Sequence, residues 1–275
     1  KLVAGYDFVD HDADPRDLHG HGTHVAGIAA AMTNNSQGVA GMDWHARIMP
    51  VRVLNENGGG TTAQIVDGIT WATVHGAHIL NLSLGGPTYS QAMQDTVSAA
   101  HAAGRLVVAA MGNDAHVGNP TKYPAAMAHV VAVAATNSSD SYAYYSQYGA
   151  HCDLAAPGGE MEDYSDPGGI YSTMPTYATT LSTAYEYSQN YDYVQGTSQA
   201  SPHVAGLAGL IWGLVPALSP DQVQDVMQCT AEDLGTSGWD VSYGYGRVDA
   251  LAALSEASVR KGVADLYISS AYTST

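Results

Sequence analysis

The sequence predicts an α/β domain in three layers, a doubly wound, mostly parallel sheet with helices on both faces. Three observations lead there. Short β-branched or apolar runs alternate with longer helical patterns along the chain, the order that strand–helix–strand crossovers require. The strand candidates are continuous apolar runs, as expected of strands buried on both faces. And 275 residues, 45% hydrophobic and 13% charged, suit one domain with a sizeable core.

In chain order, residues 47–54 read as a strand and 62–75 as a helix. Residues 78–82 and 106–110 read as buried strands with a helix over 90–103 between them, and 130–134 and 153–155 are further strands. A long helix of small residues spans 198–214, followed by one over 219–229, where Ser219-Pro220 supplies the N-cap and first-turn signals. The Tyr-rich stretch 158–193 has weak periodicity and reads as surface hairpins and loops. The run Gly244-Tyr245-Gly246-Arg247-Val248-Asp249-Ala250 looks like the close of the domain. Residues 1–256 therefore form one domain, and 257–275 a C-terminal tail or linker stub.

Acidic residues number 26 against 9 basic ones, a formal net charge of −17. Such a field repels phosphate backbones, which argues against a nucleic-acid partner. No apolar run reaches the length of a membrane-spanning helix, so no membrane partner is expected. The composition suits a soluble secreted protein, with adaptation to salt as a sharper reading of the charge. The chain opens Lys1-Leu2-Val3, without an initiator Met or signal-peptide core, and reads as a processed or truncated product. The two cysteines, Cys152 and Cys229, either pair with each other or stand as two buried thiols.

Three segments carry chemistry. The first is His19-Gly20-His21-Gly22-Thr23-His24-Val25-Ala26-Gly27, opening a helix of small residues. The second is Val108-Ala109-Ala110-Met111-Gly112-Asn113, an apolar strand ending in Gly-Asn. The third is Gly196-Thr197-Ser198-Gln199-Ala200-Ser201-Pro202-His203-Val204-Ala205-Gly206. A serine hydroxyl is a poor nucleophile until a neighbouring histidine accepts its proton. Placing it at a helix start brings backbone N–H groups and the positive dipole end beside a developing oxyanion. An asparagine just past a strand end supplies a second donor, at the sheet edge where α/β sites form.

These segments, in this order, closely resemble the histidine, oxyanion and nucleophile motifs of the subtilases, with similarity over roughly residues 3–256. The resemblance implies peptide hydrolysis through an acyl-enzyme, with Ser198 as nucleophile, His21 as general base and Asn113 as oxyanion donor. Gln199 stands where the subtilisins usually carry Met. The same likeness maps recognition. Ser83, Leu84 and Gly85, within Asn81-Leu82-Ser83-Leu84-Gly85-Gly86, match the strand lining the pocket for P1, the residue on the acyl side of the scissile bond. Gly58, Gly59 and Gly60 match the opposite edge, so an extended polypeptide would lie between the two. Gly118 falls in the loop at the pocket's base, leaving it deep and uncharged, with a preference for large apolar or aromatic P1 residues. Asn34-Asn35-Ser36-Gln37-Gly38-Val39 resembles a calcium loop, with Asn35, Gln37 and Val39 as oxygen ligands. The plainer reading there is an Asn-rich turn. His24 and His203 read as core histidines bonded to backbone. His19, His21 and His24 do not read as a zinc site, because no carboxylate or cysteine completes the set.

One part of the pattern is missing. Subtilases take their acid from an Asp-Thr-Gly or Asp-Ser-Gly segment upstream, and no such triplet occurs in the twenty residues before His21. Asp7, Asp10, Asp12, Asp14 and Asp17 read as loop carboxylates rather than substitutes. Loss of the acid costs about ten-thousandfold in turnover, the general figure for serine proteases. Three explanations follow: an upstream acid-bearing segment or prosegment belonging to the same protein, a pseudoprotease kept as a peptide-binding or scaffold module, or a carboxylate arriving from a new direction.

Overall fold

The computed structural model describes residues 1–164 and 166–261. The chain opens with a short strand, β1 (Tyr6–Asp7), followed by α1 (His21–Ala30) and β2 (Val51–Arg52), which pairs with β1 in parallel. Helix α2 (Thr62–Val74) leads to β3 (Ile79–Leu82), and α3 (Gln91–Ala102) to β4 (Leu106–Ala110). Strands β5 (Val130–Thr136) and β6 (Leu154–Pro157) complete a parallel sheet in the order β3-β4-β5-β6. Then come β7 (Ile170–Thr173), the short α4 (Thr180–Ala184) and β8 (Tyr191–Val194), with β7 and β8 antiparallel. Three helices close the described chain: α5 (Thr197–Leu214), α6 (Pro220–Cys229) and α7 (Ala250–Arg260).

The continuous apolar strands are buried on both sides. On β4 and β5, Leu106, Val108, Val131 and Val133 pack beneath α5, α6 and α7, in a cluster with Leu207, Ile211, Val226 and Ala253. Their alternate neighbours, Val107, Ala109, Val130 and Ala132, pack beneath α2 and α3 with Ile69, Ala72, Met93 and Val97. Period-two alternation thus feeds two cores rather than a core and a solvent face. The predicted three-layer α/β fold is the observed one.

Element ends moved in three places. The strand expected over 47–54 pairs as a ladder only at Val51–Arg52, and Ile48 bridges Leu2 instead. Pro50 between them has no N–H to donate. The stretch 158–193, expected as hairpins and loops, holds the β7–β8 hairpin, whose Ser172 and Asp192 are buried. The domain boundary expected at 256/257 lies inside α7, where Ala257 and Ser258 are buried. The rest of the expected tail, 262–275, lies outside the described residues. Neither reading of the cysteines survives whole. Both thiols are free, Cys152 buried and Cys229 exposed.

The sheet has one interruption. Helix α2 lies over β2, since a Cβ on Gly68 would stand 2.5 Å from Val53 and 3.2 Å from Val51. It also lies over β3, through Ile69 and Ala72 against Leu80 and Leu82. Yet among the described residues no ladder joins β2 to β3. Both strands present an unpaired edge beneath one helix.

Candidate active site

Ser198 stands in the first turn of α5, half-buried, just after the N-cap Gly196. Gly196 has φ +148°, and a Cβ there would sit 2.9 Å from Gln199 Oε1 and 3.1 Å from Asn113 Nδ2. Only glycine suits that backbone and that space. Thr197 fixes the opposite wall. Its N–H donates to Asn113 Oδ1 at 2.9 Å, and its hydroxyl donates to the same oxygen at 3.0 Å while accepting from Gly112 N at 2.9 Å. Because an N–H must meet an oxygen, the Asn113 amide has one orientation. Its Nδ2 is left as an exposed donor beside Gly196, without an acceptor among the described residues. The Ser198 N–H, in the helix's first turn, likewise has no acceptor there. Two free donors and a helix N-terminus therefore converge beside the Ser198 hydroxyl, at the carboxyl end of β4.

His21 is the first residue of α1. Asp17 builds that helix start. Its Oδ1 accepts from His19 N at 3.1 Å and Gly20 N at 2.7 Å, and its Oδ2 from Thr23 N and Thr23 Oγ1, both at 2.7 Å. One turn further, His24 Nε2–H donates to the carbonyls of Ile170 at 3.0 Å and Asp192 at 3.2 Å. That leaves its Nδ1 lone pair toward Gln199 Nε2, at 3.5 Å, on the next residue after Ser198. The first turns of α1 and α5, which carry His21 and Ser198, thus lie side by side. His203 donates from Nδ1 to Gln199 O at 2.9 Å, a backbone-bonded histidine like His24.

The pair is not engaged. Among the described residues neither ring nitrogen of His21 has a hydrogen-bond partner, and Ser198 Oγ donates to Ser83 O at 3.4 Å. Burial, then the nearby His19, press the His21 pKa down to about 4, with the Asp17 carboxylate opposing. The five aspartates upstream are all spoken for elsewhere. Asp7 is buried against Arg52 at 2.6 Å and accepts from Val9 N and Asp10 N, which outweighs desolvation and holds its pKa low. Asp10 shares Arg52, Asp12 accepts from Asp14 N, Asp14 pairs with Arg16, and Asp17 caps α1. None bonds the His21 ring.

The recognition residues divide. Ser83, Leu84 and Gly85 run alongside the nucleophile, tied by Ser83 Oγ donating to Ser198 O at 2.8 Å. Asn81 anchors that link, donating to Ser83 Oγ at 3.0 Å and accepting from Ser201 Oγ at 2.6 Å. Gly58 lies beside the His19 ring, but Gly58 N and both main-chain groups of Gly59 are used within a turn closed on Asn55. Among the described residues both main-chain groups of Gly60 are open. Gly118, at φ +101°, faces open space. The loop holding Asn35, Gln37 and Val39 is an Asx turn in which Asn35 Oδ1 already accepts from Gln37 N at 3.1 Å. Its second lone pair and the Gln37 and Val39 carbonyls make three neutral oxygens without a carboxylate, short of the six to eight that calcium takes. These residues by themselves do not fit a calcium ion. Among the described residues no group of three His, Cys, Asp or Glu side chains is placed to hold any metal.

Two residues acquire work that the pattern alone did not assign them. Thr197 sits inside the nucleophile motif yet orients Asn113, and Asp17 organises the histidine turn from outside its helix. The Thr197 role has no spacing signature, since its bonds cross between segments far apart in the chain; the Asp17 bonds are local, an acidic acceptor just ahead of a helix start that the sequence could have signalled.

The fold agrees with that of known proteins. The model of the Peptidase S8 subtilase family matches residues 2–246. Thermitase of Thermoactinomyces vulgaris is 41% identical over 255 residues, spanning 92% of this chain and 81% of thermitase. Subtilisin DY of Bacillus licheniformis is 40% identical over 255 residues, spanning 92% of this chain and 84% of its own. Among solved structures, a protease of Pseudoalteromonas arctica PAMC 21717 superposes with a TM-score of 0.83 at 36% identity, covering 93% and 84% of the two chains. These are subtilisin-type serine proteases. The chain belongs to the subtilase family.

Proposed function

We propose that this protein is a secreted serine endopeptidase that cleaves extended polypeptides through an acyl-enzyme. Ser198 Oγ attacks the carbonyl carbon while its proton passes to His21. The oxyanion takes hydrogen bonds from Asn113 Nδ2 and Ser198 N–H. Collapse breaks the C–N bond, and His21 returns the proton to the leaving amine; water then repeats the sequence on the ester. The observation that carries this reading is the Asn113 amide, pinned through its oxygen by Thr197 so that its nitrogen faces the Ser198 turn. The main chain of residues 83–85 and of Gly60 offers the edges for an extended substrate, which favours broad specificity with apolar or aromatic P1.

The acid belongs to a strand that fills the break between β2 and β3. Such a strand would pair both open edges and end near the N-terminus of α1. The same preceding segment is the natural source of the carboxylate that the Asn35 loop lacks for calcium. The test is fluorophosphonate labelling of Ser198 in this chain, with Ser198→Ala as control, repeated after adding the preceding segment. Labelling that rises sharply with the segment supports the reading.

A second reading, a peptide-binding module of the same fold, draws on the unengaged His21 and on Ser198 Oγ bonded to Ser83 O. A folded protein that binds peptides but never labels, with or without the segment, would establish it instead.

A further inference from the structure

On the proposed function, a P1 residue with its carbonyl oxygen between Asn113 Nδ2 and Ser198 N and its main chain along residues 83–85 would carry its side chain toward Gly85 and Gly112. Neither residue has a side chain to block it. Across that space runs the stem of Lys122, its Cβ 3.5 Å from where a Gly85 Cβ would stand and its Cγ 3.0 Å from the same point on Gly112. The Lys122 ammonium is tethered to Asp114 at 2.7 Å.

Under the stem lies Gln147, only 2% exposed. Its Oε1 occupies the position a Gly112 side chain would take. The amide is held from its other side, where Nε2 donates to the Pro120 carbonyl, and its backbone N–H donates to Gly112 O at 2.9 Å. Among the described residues Oε1 has no partner. A buried acceptor left unpaired is costly, and native structures keep few of them. This one sits beside Gly112, covered by a flexible stem held at its tip.

We propose that Gln147 Oε1 is the specificity-determining acceptor of the pocket. It accepts a hydrogen bond from the hydroxyl of a P1 tyrosine, whose ring pushes the Lys122 stem aside. The substrate class is then peptides with tyrosine before the scissile bond, favoured over phenylalanine. This deepens the proposed function and rests on it.

The experiment compares two tetrapeptide amide substrates that differ only in Tyr or Phe at P1. A missing acid slows both alike, so their ratio isolates the pocket. Binding of the matching N-acetyl tetrapeptide acids, measured by calorimetry, needs no turnover. The expected result is about a fivefold to tenfold advantage for Tyr in kcat/KM and in affinity, the value of one good hydrogen bond. Gln147→Met, checked for folding by its melting curve, should bring both ratios close to one. Equal handling of Tyr and Phe by the unaltered chain, or a Tyr advantage that survives Gln147→Met, overturns the inference. Hydrolysis no faster than in Ser198→Ala overturns the proposed function instead, and the affinity ratio then decides for Gln147 alone.

Discussion

Thr197→Val is the sharpest probe of the site, because it changes shape little and removes one hydroxyl. That hydroxyl donates to Asn113 Oδ1 at 3.0 Å and accepts from Gly112 N at 2.9 Å. Its loss strands the partly buried Gly112 N–H, a destabilisation of about 1–3 kcal/mol. Asn113 Oδ1 retains only the Thr197 N–H, at 2.9 Å, so the amide is held by one bond rather than two. Removing an oxyanion donor outright costs about 10²–10³-fold, a range established on a subtilisin. Loosening the donor without removing it should cost about tenfold, or about 1.4 kcal/mol of transition-state stabilisation. The assay is the pseudo-first-order rate of fluorophosphonate labelling at Ser198, read beside thermal unfolding of the same samples. Thr197→Ser keeps the hydroxyl and should label near the original rate. A Thr197→Val protein that melts lower yet labels as fast as the parent would refute the orienting role.

Three further outcomes follow from the same geometry. Asp17→Ala removes four bonds at the start of α1 and should lower stability by about 1–2 kcal/mol. Because the Asp17 charge raises the His21 pKa, the imidazole should titrate lower still, as followed by NMR. Asp153 is held by Ala132 N, Gln224 and Gln228, with no cation beside it among the described residues, and burial raises its pKa to about 6. A carboxyl raised in the folded state favours folding while protonated, so stability should fall as pH climbs from about 4 to 6, by at most about 3 kcal/mol, and then level off. Asp153→Asn should flatten that part of the urea-denaturation profile. Finally, the pH–rate profile of this chain should keep its acid limb near pH 4, where His21 protonates. An added strand that sets a carboxylate against the ring should move the limb upward and raise turnover by about ten-thousandfold. A limb that stays put after the strand is added would show that its carboxylate does not reach His21.

Much of the fold was legible because the cues are local. Val107, Val108, Val131 and Val133 alternate between two buried faces, so the strands appear as unbroken apolar runs. Ser219 and Ser90 accept hydrogen bonds from Gln222 N and Met93 N, as residues that open helices do. Strand ends were less legible, because a strand stops where its neighbour does. Val51–Arg52 ends early because β1 is short, and within residues 47–54 only Pro50 marks a break in the ladder.

For the site, the sequence by itself determined which chemistry is present. It specified a serine after Gly-Thr at a helix start, a histidine opening a small-residue helix, and an asparagine ending an apolar strand. Each is a matter of residue type and near neighbours. Only the tertiary structure decided how these groups stand. It turned the Asn113 amide through a bond from Thr197, 84 residues away in the chain. It assigned Asp7 to Arg52, 45 residues further along the chain, rather than to His21. It also left the sheet open between β2 and β3, and Gln147 Oε1 unpaired beneath Gly112. The physical reason is the same in each case. A hydrogen bond or an unpaired edge is set by three-dimensional proximity, and proximity between distant segments is not written in the spacing of either one.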